Sequence, residues 1–168
     1  MMVKHKLLHK RHKYTYNIAR GENVISIGVA EENNHIKELI KNLNKEDIYI
    51  FDCTDKNNIK SADIIINNNG RVSGNVHCKI YIYNSDEKTD TVLDEGTLII
   101  TYGLNSLATA TASSIDEGNS FQYCLQRSIC GLSGKKIEPQ EFHAEFNNRE
   151  INIHSALAFE TLLLLYHY

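Results

Sequence analysis

Asn67-Asn68-Asn69-Gly70 follows the apolar run Ile64-Ile65-Ile66 directly. Asn and Gly tolerate positive φ, so this tetrapeptide reads first as a tight turn. It also stands at the carboxyl end of an expected strand, where open α/β sheets bind ligands. Asn84-Ser85-Asp86 and Tyr102-Gly103-Leu104-Asn105 follow two further apolar runs in the same way. Candidate ligand-binding residues are therefore Asn67, Asn69, Gly70, Asn84, Tyr102, Gly103 and Asn105. Tyr102 offers a ring to stack on a base or sugar, and Asn105 an amide to hydrogen-bond it. The plainer reading of Tyr102 is a packed aromatic beside a glycine turn.

Other chemistry is thin. Gly131-Leu132-Ser133-Gly134-Lys135-Lys136 suggests a phosphate-binding loop, but Ile129 stands where its first glycine belongs. Lys136 replaces the Ser or Thr that would hold magnesium. The first strand ends Gly28-Val29-Ala30, which is no dinucleotide fingerprint. His77 and Cys78 are adjacent, so on a strand they point to opposite faces. They read as a surface histidine and a small buried hydrophobe. Cys124 and Cys130 do not match a standard zinc spacing. Asp86-Glu87 and Asp116-Glu117 fall in turns, where solvated acids are the ordinary case. No catalytic residue, metal ligand or cofactor is expected. The alternative of a small unrecognised enzyme rests only on strand-end residues such as Asp52, Asp55 and His77.

The elements that must position these residues follow from periodicity. Residues 24–29 (VISIGV) read as a buried parallel strand. Ile36, Leu39, Ile40 and Leu43 fall at i, i+3, i+4 and i+7, which predicts a helix over 33–44 capped by Asn33 or Asn34. Residues 48–51, 64–66, 80–83 and 98–101 predict four more strands, with only the first crossover clearly helical. Residues 108–114 and 121–128 predict a hairpin across the turn at 115–120. Phe142, Ala144 and Phe146 alternate with Glu141, His143 and Glu145, the pattern of a half-buried antiparallel strand. Ile153, Ala156, Leu157, Leu162 and Leu165 predict a final helix over 153–166, apolar on more than one side. The expected fold class is α/β. A Rossmann-like, mostly parallel sheet with helices comes first, then an antiparallel extension and a C-terminal helix.

Composition sets the class. The 168 residues are 42% apolar and 23% charged, with 9 Gly and 1 Pro, as in one folded domain. The abundance of Asn, Ile and Lys suggests an AT-rich bacterial genome. No apolar run spans a bilayer and no secretory signal is seen, so reduced cysteines and a cytoplasmic location are expected. The net charge of −3 is unevenly placed. Residues 1–20 hold six Lys/Arg and no acid, leaving 12 bases against 21 acids, or −9, in residues 21–168. Residues 1–20 read as a solvated basic arm, with an arm for nucleic acid or anionic lipid as the sharper alternative. The acidic body argues against broad nucleic-acid binding. Residues 21–168 form the single expected domain.

From Leu93 onward the chain is similar to a known family. Leu98-Ile99-Ile100-Thr101-Tyr102-Gly103-Leu104-Asn105, then Ala108-Thr109-Ala110-Thr111-Ala112, resembles the late central domain of the Mur ligases. That family, which includes folylpolyglutamate synthases, joins amino acids to carboxylates using ATP. Antiparallel strands follow in the family, and a glycine-x-His-Asn segment then opens an alanine-rich helix. Glu150-Ile151-Asn152-Ile153-His154-Ser155-Ala156-Leu157-Ala158 stands in for that segment. Asn152 matches the asparagine whose amide lies near adenine, which makes it an eighth candidate. Arg149 replaces the glycine, Ile151 the histidine, and Ser155 a second asparagine. The resemblance covers about 75 residues, the C-terminal half of the family's central domain.

The departures shape the expectation. Nothing upstream resembles the family's phosphate loop. Asn84-Ser85-Asp86-Glu87-Lys88 carries no histidine where the family has a magnesium-binding Asp-His. The chain stops at Tyr168, before the family's C-terminal domain. Phosphoryl transfer depends on positioning and neutralising the β- and γ-phosphates, so ligation is not expected. The resemblance implies a non-catalytic binding or accessory module, for a nucleotide-linked cell-wall precursor, another nucleotide or a protein partner. An assembly protein is the other alternative, a homodimer formed by the final helix or the hairpin edge, with Leu162–Leu165, Tyr166 and Tyr168 as anchor. The plainer reading of that helix is core.

Overall fold

The computed structural model describes residues 24–43, 45–54, 61–116, 120–146 and 151–168. The basic arm, Asp55, Arg149 and residues 117–119 of the turn at 115–120 lie outside the described residues. Five apolar runs form parallel strands: β1 (Ile25–Ala30), β2 (Ile48–Asp52), β3 (Ala62–Asn67), β5 (Cys78–Asn84) and β7 (Leu98–Tyr102). Between them lie α1 (His35–Lys41) and two three-residue strands, β4 (Gly74–Val76) and β6 (Thr91–Leu93). Then come β8 (Ala110–Asp116), β9 (Ser120–Leu125), the pair β10 (Ile129–Cys130) and β11 (Lys136–Ile137), β12 (Gln140–Glu145) and α2 (Ile153–His167). The main sheet has eight strands in the order β12-β9-β8-β7-β5-β3-β1-β2. β2, β1, β3, β5 and β7 run parallel, β8 joins β7 in parallel, and β9 runs opposite to them, pairing antiparallel with both β8 and β12. The fold is α/β, with a mostly parallel sheet, an antiparallel extension and a C-terminal helix.

Handedness explains what covers each face. A crossover between parallel strands is right-handed, so the face it covers depends on its direction along the sheet. β1 steps one way to β2, and α1 covers the first face. β3 to β5 and β5 to β7 step the other way, so these two connections cross the opposite face. Those connections pair as the parallel ribbon β4–β6 instead of forming helices. Val72, Val76 and Leu93 there pack on Ile65 and Tyr81. The alternate residues Ile27, Ile64, Ile66, Ile80, Ile82 and Ile100 meet α1 and α2.

Both helices differ in detail from expectation. α1 is shorter than 33–44, and neither Asn33 nor Asn34 caps it by a side chain. Asn34 sits at the N-cap in the left-handed region, at φ 56°, with no side-chain cap bond. The Glu31 carboxylate reaches forward instead and accepts from Ile36 N at 2.8 Å and Lys37 N at 2.9 Å. One carboxylate thus satisfies two orphan donors, where an Asn cap satisfies one.

α2 is core. Every residue from Ser155 to Leu165 is buried. The proposed dimer anchor Leu162–Leu165 is therefore spent within the chain. The hairpin edge is also closed, because β8 pairs with β7 and β9 with β12. Leu132 N in the β10–β11 turn donates to Leu165 O at 2.9 Å, satisfying a carbonyl at the end of the helix. The Gly131–Lys136 segment is thus an antiparallel turn beneath the end of α2. Among the described residues no helix is long and apolar enough to cross a membrane.

Candidate functional site

The parallel strands deliver three segments to one end of the sheet. β1 continues into Glu31-Glu32-Asn33, β3 into Asn68-Asn69-Gly70 and β5 into Ser85-Asp86-Glu87, and Asn152 opens α2 beside them. Between them is a cleft of about 160 Å³. Glu31, Glu32 and Asn33 form one wall, and Asn68, Asn69 and Glu87 another; Asn152, His154 and Ser155 close it from the first turn of α2. Among parallel strands of the main sheet the order is second, first, third, fourth, fifth. The chain reverses its direction of travel between β1 and β3. The loops leaving these two strands diverge there, and open α/β sheets bind ligands in that crevice.

Asn68 holds the walls together. Its N–H donates to Ala30 O at 2.9 Å, and its carbonyl accepts from Asn84 Nδ2 at 3.1 Å. Its side-chain oxygen accepts from the Tyr102 hydroxyl at 2.7 Å, and its Nδ2 donates to Ser155 Oγ at 3.2 Å. One residue therefore ties β1, β5, β7 and α2. Asn69 differs. It lines the cleft with both polar atoms of its amide buried and without a partner among the described residues. Asn152 caps α2, its Oδ1 accepting from Ser155 N at 2.8 Å, and also faces the cleft.

The remaining sequence candidates build the surroundings and do not line the cleft. Asn67 is buried and donates to the Tyr81 hydroxyl at 2.8 Å, on the opposite sheet face. Gly70 turns at φ 68°, and a Cβ there would lie 2.4 Å from Lys88 O, so the loops after β3 and β5 touch only because it is glycine. Asn84 is buried and links Asn68 O to Asp86 N. Tyr102 has no exposed surface, so it cannot stack on a ligand. Burial, with the nearby Glu31 charge, holds its hydroxyl well above the ordinary phenol range. Asn105 spends its amide on Ser85 Oγ and Asp86 Oδ1, both at 2.7 Å, and on Leu107 N at 2.9 Å. Gly103 sits where a Cβ would come within 2.9 Å of Asp86 and Ser85 side chains, so it allows the loops after β5 and β7 to close.

That closure fixes a carboxylate–imidazole pair at the cleft's rim. Asp86 accepts from Leu104 N at 2.6 Å and from Asn105, and its Oδ2 lies 2.8 Å from His154 Nε2. Burial alone would raise its carboxyl, but the donors from Asn105, Leu104 and His154 outweigh it and lower the pKa to about 2. His154 is thus oriented by a fixed carboxylate while its ring lines the cleft, an arrangement able to accept or deliver a proton. The cleft wall itself carries three carboxylates and no Lys or Arg. Glu32 pairs with Arg71 beyond the rim. Glu31 already fills the start of α1, where a phosphate sits in strand–loop–helix nucleotide sites.

Other sequence candidates lie elsewhere. His77 precedes β5, at the opposite end of the sheet, and meets Asp94 at 2.7 Å. Asp52 ends β2 and is held to about 2, first by the Lys37 ammonium at 2.5 Å and then by Thr54. Burial pushes the Cys53 thiol up to about 12 and that of Cys78 to about 11, far from a reactive thiolate. A larger hollow of about 430 Å³ runs along Ile40, Ile48 and Ile50. It lies toward the amino end of β2, and none of its lining residues has a buried polar atom without a partner.

Sequence reasoning found Asn69 and Asn152 but missed Glu31, Asn68, Glu87 and His154 as cleft residues. Asn68 had a usable signal, since it shares the parity of Ile64 and Ile66 and so continues the face that meets α2. Compared with models of known protein families, with curated proteins and with solved structures, the chain matches none.

Proposed function

We propose that this chain is a non-catalytic binding module on a Mur-ligase-like scaffold, taking one small polar group into the cleft between β1, β3 and α2. The observation that carries this reading is the Asn69 amide, buried and unpartnered at the β1/β3 switch point. A buried polar group without a partner costs about 1–3 kcal/mol, and a ligand that satisfies it recovers that cost. The acidic lining and the Glu31 carboxylate at α1 oppose a triphosphate in this place. Drug-sized ligands fill roughly 300–1,000 Å³. A nucleotide-linked cell-wall precursor would therefore insert only one small moiety here and leave its phosphates outside.

Melting curves test this. ATP with magnesium should leave the melting temperature unchanged, and small polar molecules that raise it should lose their effect in Asn69→Leu. A large ATP-dependent rise, or hits indifferent to Asn69→Leu, would overturn the reading. The Asp86–His154 contact favours a second reading, an enzyme that moves a proton at the cleft's rim. In that case His154→Gln would abolish turnover of a substrate while leaving its binding intact.

A further inference from the structure

The cleft's carboxylates are not equivalent. Glu31 is bound by two backbone N–H groups of α1, and Glu32 by the Arg71 guanidinium. Glu87 lines the same cleft, and its side chain has no hydrogen bond or ion pair among the described residues. Its backbone is fixed, with Glu87 N donating to Asn84 O at 3.2 Å. No Lys or Arg lines the cleft, and His154 is already matched to Asp86. One uncommitted carboxylate thus lines the same cleft as an amide that lacks both a donor and an acceptor partner.

We propose that the cleft selects a small organic cation, a primary ammonium on a hydroxylated frame. The ammonium pairs with Glu87, and a neighbouring hydroxyl satisfies Asn69, accepting from Nδ2 or donating to Oδ1. This inference rests on the binding reading above and adds the ligand's charge and size. A dry cavity of about 150 Å³ holds benzene, so a ligand of about six heavy atoms fills this one. An ammonium donates strongly to a carboxylate, whereas an anionic group would meet three like charges.

The test uses three probes on one three-carbon frame: 2-amino-1,3-propanediol, glycerol and glycerate. Each is titrated at neutral pH into the full chain, and backbone and Asn side-chain amides are followed by two-dimensional NMR. The probes should shift signals of residues 31–33 and 68–69, with the amine saturating at a concentration about threefold or more below glycerol and glycerate weakest. Glu87→Gln, a change at an exposed position, should bring the amine to the level of glycerol. Equal binding of amine and glycerol, a preference for glycerate, or an amine preference that survives Glu87→Gln would overturn cation selection while leaving the cleft a binding site. If none of the probes perturbs these residues at saturating concentration, both readings fall.

Discussion

Asn68 accepts from the Tyr102 hydroxyl, donates to Ser155 and joins Ala30 and Asn84 through its backbone. Asn68→Ala keeps the backbone bonds and strands a hydroxyl that has no route to water. The expected loss is about 1–3 kcal/mol, read from urea unfolding. A change within a few tenths of wild type would show that the hydroxyl finds another partner. Asp86 makes a prediction in pH. Its carboxyl titrates at about 2 in the folded chain, below the roughly 3.9 of an unfolded one. Between those values the unfolded state binds more protons, so the contribution is present above about pH 4 and fades toward pH 2. Asp52 and Asp63, also lowered to about 2, act in the same window. Asp86→Asn should therefore be less stable than wild type at pH 6, with the gap narrowing toward pH 2. A gap independent of pH would refute the charged contact. The Asn-rich turn was legible in the sequence because Asn and Gly after an apolar run have few other uses. Partnering was not. Asn67, Asn68 and Asn69 look alike as letters, and only the sheet decides which faces the ribbon, which ties the walls and which is left unpaired.

Elements were legible in proportion to their length. Five apolar runs marked β1, β2, β3, β5 and β7, a 3.6-residue stripe marked α1, and apolar residues on more than one side marked α2. The two- and three-residue strands β4, β6, β10 and β11 are too short to carry a period, so the sequence predicts no covering element in the crossovers after β3 and β5. α1 shows the limit of reading caps from local residue type. Asn33 and Asn34 were the obvious caps, yet the carboxylate that caps the helix comes from Glu31, farther upstream. With seven residues α1 is too short to be stable alone, so it depends on that cap and on packing. Glu31→Ala should cost about 1–2 kcal/mol and speed amide exchange at Ile36 and Lys37. Unchanged exchange at these two amides would mean that packing alone holds the first turn. The expectation of a buried final helix survives because Leu157, Leu162 and Leu165 leave no polar face wide enough for solvent.

At the scale of the whole molecule, the right-handed rule and one reversal of direction place the cleft. The α/β class and the later antiparallel strands could be read from the order of patterns. The reversal could not, because no local residue type encodes whether the third strand lies beside the first or the second. The sheet's two edges also differ. β12 presents Glu141, His143 and Glu145, which discourage pairing, while β2 exposes Tyr49 beside Phe51. A protein partner, the other class of ligand considered, would find its least guarded edge at β2, away from the cleft. Location is therefore the decisive question. A crystallographic screen of small polar fragments answers it, since each bound fragment reports its own position. Fragments should collect between Glu31, Asn69 and Asn152 at the carboxyl end of the parallel strands. A cleft that stays free of fragments while they gather along Ile40, Ile48 and Ile50 would contradict the account.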